Sequence, residues 1–199
     1  KEILAGHAAA SVIAMDDDNV ARAIQKIFQA QLFRVYTNED IVGCEMGGVL
    51  KNVIAIASGM ADGLGAGDNT RAAVITRGLS EITRMGVALG VEPLTLSGLA
   101  GMGDLVATCI STQSRNRHVG ERLGKGETID EIIAAMNMVA EGVKTSKVVM
   151  ELADDLGLDM PIASEVYHVC HEGRTAAEAY ADLLRRDTGR EMDGISPAR

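Results

Sequence analysis

A chain of 199 residues, 47% of them hydrophobic, is long enough to bury a core. Its net charge of −9 argues against nucleic acid as a partner, since that binding depends on Lys and Arg neutralising phosphates. Aromatic residues make up only 3% and Trp is absent, so the core must be Ala, Val, Ile, Leu and Met, which favours packed helices over a sheet sandwich.

Residues 9–15 are small and β-branched, the pattern of a strand buried on both faces. A turn at Asp16–Asp18 leads into helical spacing over residues 19–30, carried by Val20, Ile24, Ile27 and Phe28. Residues 32–36 then alternate as a second strand. The first forty residues are thus predicted to be strand–helix–strand, the remnant of a larger sheet, and residues 41–191 an all-helical domain. The start at Lys1, without an initiator Met, reads as that of a fragment.

A long helix rich in Gly and Ala is expected over 42–62, a glycine loop over 62–69, and a helix from about Thr70 to near Gly90. Residues 98–108 are too broken by glycine to assign. Thr128 with Glu131 and Thr175 with Glu178 form two capping boxes, and Pro161 fits a first helical turn. Gly157 and Gly173 are placed to end helices. Residues 192–199 read as a flexible tail. No uninterrupted apolar run reaches membrane-spanning length, so no membrane span is expected.

Four segments hold residues capable of chemistry. Lys51 shares a helix row with Gly47, Ala55 and Gly59, which suits either a snorkelling lysine or a partly desolvated ammonium that exchanges a proton with a substrate oxygen. Gly101-Met102-Gly103-Asp104 followed by Ser114-Arg115-Asn116 supplies a hydroxyl, a guanidinium fork and an amide, a set suited to phosphate and neighbouring hydroxyls. The same residues also fit a capped glycine turn and an N-capped helix with an exposed basic face. Gly63-Leu64-Gly65-Ala66-Gly67 follows a helix rather than a strand, so it is no dinucleotide fingerprint. His168-Val169-Cys170-His171 lacks a second ligand pair, so no metal is expected. Cys44, Cys109 and Cys170 fit no disulfide framework and are expected as reduced thiols in the cytoplasm.

Five ordered motifs resemble the bacterial type of NAD(P)-dependent glycerol-3-phosphate dehydrogenase. They are residues 42–55, 63–70 and 98–105, Ser114-Arg115-Asn116, and Val139-Ala140-Glu141-Gly142. The resemblance covers roughly residues 1–191. It implies a mainly α fold, a multi-helix substrate domain preceded by a strand–helix–strand remnant of a Rossmann-type sheet. It also implies interconversion of dihydroxyacetone phosphate and sn-glycerol 3-phosphate with NAD or NADP, feeding glycerophospholipid synthesis.

By the same resemblance Lys51 is the catalytic proton donor and acceptor. Asn52, Asp104, Ser114, Arg115 and Asn116 contact a small phosphorylated three-carbon substrate, and Arg115, Val139 and Glu141 contact the coenzyme. The coenzyme is bound mainly by an N-terminal domain, and a homodimer is compatible with the family. The family's second catalytic-site lysine and its coenzyme fingerprint have no counterpart in these residues, so the chain alone is expected to be inactive. The competing readings are a non-catalytic helical module for dimerisation or phosphate binding, and another two-domain dehydrogenase acting on a hydroxy acid.

Overall fold

The computed structural model describes residues 3–136, 140–191 and 195; the tail predicted over 192–199 lies, residue 195 apart, outside them. The chain opens with a strand–helix–strand unit, β1 (Ala9–Ala14), α1 (Asp18–Phe28) and β2 (Phe33–Asn38), whose strands pair in parallel from Ala9 opposite Phe33 to Ala14 opposite Asn38. Asp17 caps α1 by accepting from the backbone N–H groups of Asn19 and Val20, which fixes the turn read at Asp16–Asp18.

One expectation for this unit needs correction. No residue of β1 is fully buried, because the sheet has only two described strands and neither face is closed. The helix expected from spacing forms, with Ile27 and Phe28 exposed and Ala21 as its buried contact. The helix instead seals the outer edge of β2. Gln25 Nε2 donates to Val35 O at 2.7 Å, and Val35 N donates to Gln29 Oε1 at 3.0 Å. Two glutamines one turn apart thereby satisfy the backbone groups that an edge strand leaves open.

Helices occupy most of the rest: α2 (Ile41–Gly63), α3 (Asp68–Ala88), α4 (Pro93–Leu96), α5 (Asp104–Ile110), α6 (Arg115–Gly124), α7 (Ile129–Ala135), α8 (Glu141–Leu156), α9 (Pro161–His171) and α10 (Ala176–Arg185). Both capping boxes form, Pro161 opens α9, and Gly157 ends α8 at φ 63°. Asp40 joins the two parts of the fold. One oxygen caps α2 at Gly43 N, and the other accepts from Glu92 N at 3.0 Å.

The long helix α2 is the axis. By length and composition alone it could cross a membrane, as could the stretch Pro93–Ile110. Here it packs on α3, α5, α6, α8 and α9, and Val53, Ile54, Ala55 and Ile56 are almost fully buried. Its contact with α6 is the most extensive in the fold. Gly59 and Gly63 on α2 face the carbonyls of Arg117 and Glu121, while Gly120 and Gly124 on α6 face those of Ile56 and Met60. A Cβ at any of the four would collide with backbone, so the glycines let the two helices lie almost in contact.

Glu81 on α3 is 2% exposed, and its carboxylate accepts from Ile162 N at 2.7 Å and Ala163 N at 3.1 Å. It thereby caps α9 from a neighbouring helix. Burial outweighs these two bonds and the nearby Arg84, and pushes the carboxyl up to about 7. Between its ordinary value and about 7 the folded chain holds a proton that the unfolded chain has released, so this group's contribution to stability falls as pH rises through that window. Urea midpoints at pH 5.5 and 7.5 should show a loss on the order of 2 kcal/mol at the higher pH. Glu81→Gln should flatten that slope; an unchanged slope would mean that Glu81 is not its source.

Candidate active site

Lys51 stands on the face of α2 that meets α5, with its side chain 18% exposed. Its ammonium pairs with Asp104 Oδ2, and the other Asp104 oxygen accepts from Thr108 Oγ1 at 3.4 Å. The segment too glycine-rich to assign from sequence explains why Asp104 points there. Leu99–Gly103 forms a π-helical turn in which Gly103 N donates to Gly98 O, five residues back. This turn lies on Gly47, where a Cβ would press on Ala100 O, and it hands α5 its first residue, Asp104, which meets Lys51, one turn along α2 from Gly47. Glycine on both sides is therefore what brings the carboxylate to the lysine. The ammonium that the sequence left between two readings is mostly desolvated and held by a carboxylate.

Ser114 caps α6, its Oγ accepting from Arg117 N at 3.2 Å. Arg115, the first residue of α6, is exposed, whereas Asn116 is 8% exposed and turned inward. Asn116 Nδ2 donates to Asn52 Oδ1 at 2.9 Å, and Asn116 Oδ1 accepts from Gly142 N at 2.9 Å. Asn52 Nδ2 in turn reaches Gly48 O at 3.4 Å. Glu141 opens α8 and is exposed; Val139 lies outside the described residues. The structure thus brings Lys51 to Asp104 and Asn52 to Asn116, while Ser114, Arg115 and Glu141 stand at the first turns of α6 and α8, close in sequence to the Asn116–Gly142 contact.

Sequence reasoning passed over the ionic cluster behind this region. Asp62, with a side chain 7% exposed, accepts from Arg71 Nε at 2.8 Å and pairs with Arg117 Nη2 at 2.7 Å. Three helices are pinned by one carboxylate. A signal existed, because Lys51, Ala55, Ser58 and Asp62 follow one another at helical spacings of four, three and four on a single face. Among the described residues no three His, Cys, Asp or Glu side chains gather as metal ligands. His168 pairs with Glu172 at 2.7 Å, and His171 Nε2 bonds to Ser146 Oγ and Val143 O.

Comparison with known proteins finds relatives of the chain as a whole. Residues 40–181 match the family model described as the NAD-dependent glycerol-3-phosphate dehydrogenase C-terminus. The chain is 62% identical over 191 residues to glycerol-3-phosphate dehydrogenase [NAD(P)+] 2 of Sphingopyxis alaskensis, covering 96% of this chain and 57% of that protein. It is 55% identical over 194 residues to glycerol-3-phosphate dehydrogenase [NAD(P)+] of Mycobacterium avium, covering 98% and 57%. The crystal structure of glycerol-3-phosphate dehydrogenase from Coxiella burnetii superposes with a TM-score of 0.88 at 39% identity, over 93% of this chain and 57% of that one. The chain thus spans a little over half the length of the relatives it matches.

Burial sets the three thiols apart. Cys109, beside Ser58 and within the field of Asp62, Arg117 and Lys51, is pushed up to about 12 by burial, as is Cys170 in the core. Cys44 is only half-buried; burial and then Asp40 raise its pKa as well. In the folded chain at pH 8 an aromatic disulfide reagent should therefore label Cys44 alone, and slowly, with the other two reacting on unfolding. Rapid labelling of Cys109 would contradict the packing of α5 against α2.

Proposed function

Because the chain belongs to the NAD-dependent glycerol-3-phosphate dehydrogenase family, matching its C-terminal domain, we propose that it is the substrate half of an enzyme interconverting dihydroxyacetone phosphate and sn-glycerol 3-phosphate. The observation that carries this reading is the ion pair between the largely buried Lys51 and Asp104 where α2 meets α5, with Arg115 exposed at the start of α6, which also packs on α2. The nicotinamide of NAD or NADP, when bound, supplies or takes the hydride at C2. Arg115 and Glu141, exposed on the first turns of α6 and α8, offer a guanidinium and a carboxylate that suit the phosphates and hydroxyls of such a coenzyme.

The chain's own residues then have separate tasks. As charge builds on the C2 oxygen, the Lys51 ammonium stabilises it and delivers the proton; in the reverse direction it takes the proton back. Asp104 holds the ammonium in one direction, and Thr108 steadies Asp104. Arg115 grips the substrate phosphate, placing binding energy away from the reacting carbon. We place the enzyme in the cytoplasm, where free thiols such as these persist, with its product supplying glycerophospholipid synthesis. The 199 residues by themselves contain no dinucleotide fingerprint and are proposed to be inactive alone.

Lys51→Met in the full-length enzyme keeps the side-chain length and removes the charge, so the turnover number should fall by roughly two to four decades. A variant within a few-fold of the parent enzyme would assign Lys51 a purely structural part. Arg115→Ala should weaken use of dihydroxyacetone phosphate at least about tenfold, the value of one charge-assisted hydrogen bond. Unphosphorylated dihydroxyacetone never makes that contact and should be affected far less. Equal losses on both substrates would move Arg115 from phosphate binding to coenzyme binding or folding.

A further inference from the structure

Lys51, Arg115 and Glu141 are each followed by a residue that turns toward a shared contact: Asn52, Asn116 and Gly142. Successive helix residues point about 100° apart. Three helices that each present one functional residue to the site therefore present the next one to each other. The result is a chain of hydrogen bonds running from Gly142 N through the Asn116 and Asn52 amides to Gly48 O.

Its direction is fixed at both ends. The backbone N–H of Gly142 can only donate, and the carbonyl of Gly48 can only accept. Asn116 must turn its oxygen to Gly142 and its nitrogen to Asn52, and Asn52 must do the same toward Gly48. Neither amide can flip without setting like groups against each other at two contacts. Packing leaves no slack either, since a Cβ on residue 142 would come within 2.6 Å of Asn52 O and 2.9 Å of Asn116 Oδ1. Ala140 gives α8 no side-chain cap, so Asn116 supplies that cap from another helix.

We propose that this amide chain couples the coenzyme edge of the site to the proton-transfer lysine, with Asn52 and Asn116 as positioning residues. A coenzyme engaged at Glu141 sets the first turn of α8; Gly142 passes that setting through Asn116, beside Arg115, to Asn52, beside Lys51. Coenzyme and three-carbon phosphate therefore change each other's affinity, and by linkage to the same degree. The identity of the two ligands rests on the dehydrogenase reading above; the amide chain itself does not.

The test uses the full-length enzyme with NADH and sn-glycerol 3-phosphate, both reduced and so unable to react. Saturating glycerol 3-phosphate should change the NADH Kd by at least about fivefold. In Asn116→Asp, which keeps the bond from Gly142 but turns the Asn52 oxygen onto Gly48 O, the change should shrink to within about twofold. Asn52→Ala, which buries no charge, should do the same. A fold-stabilising role alone would lower the melting temperature and leave the ratio intact. The proposal fails if the wild type shows no linkage, or if the folded variants keep the full ratio. If the wild type binds neither ligand, the dehydrogenase reading fails instead. The amide chain is then judged in the 199-residue chain by NMR, where Asn52→Ala must shift the Gly142 amide resonance. An unmoved resonance overturns it.

Discussion

Everything at the candidate site depends on how closely α6 can lie on α2. Glycine in the middle of a helix costs about 0.5–1 kcal/mol relative to Ala, and this crossing uses one inside each helix, Gly59 and Gly120, besides Gly63 and Gly124 at their ends. What offsets that cost is the burial of Ile56, Met60, Val119 and Leu123 on the two helices. The functional consequence appears one or two turns away, where the Asn52 and Asn116 amides meet at 2.9 Å. Pushing the helices apart by the width of a methyl group would break this bond and leave the Nδ2 group of the buried Asn116 without it. The placement of Lys51 relative to Arg115 is thus a product of packing before it is one of electrostatics.

Charge follows from that packing. The chain is acidic overall, yet its cations beside the site are held one by one: Lys51 by Asp104, and Arg71 and Arg117 by Asp62. Desolvating Asp62 costs several kcal/mol, and two guanidiniums from two helices compensate it. Such a cluster adds little net stability, but it fixes which way α3 and α6 approach α2. Glu81 plays a similar part between α3 and α9, where a single carboxylate seats the start of α9. A small phosphorylated ligand would meet a few positioned donors instead of a diffuse positive surface.

The helices were legible in the sequence wherever a local rule governs them. Both capping boxes, Pro161 at a first turn and Gly157 at an end depend on residues within one turn of each other. The parts that could not be read depend on distant partners. The π turn at Leu99–Gly103 has no periodicity of its own and exists because Gly47 admits it. Glu81, in mid-helix, has the sequence signature of a solvent-facing residue, and only the start of α9, some eighty residues later, makes it a cap. β1 has a composition fit for burial, but composition cannot say whether anything covers it. The family resemblance implies substrate contact for Asn52 and Asn116; their bonds to each other and to the Gly142 backbone span 64 and 26 residues, so no local pattern shows them.

If this packing brings Lys51 and Arg115 onto one three-carbon phosphate, as proposed, a crystal structure of the full-length enzyme with sn-glycerol 3-phosphate will show both contacts. The C2 hydroxyl should lie at hydrogen-bond distance, about 3 Å, from Lys51 Nζ, with the phosphate on the Arg115 guanidinium at the start of α6. A phosphate bound away from Arg115, or a C2 hydroxyl out of reach of Lys51, would contradict the account.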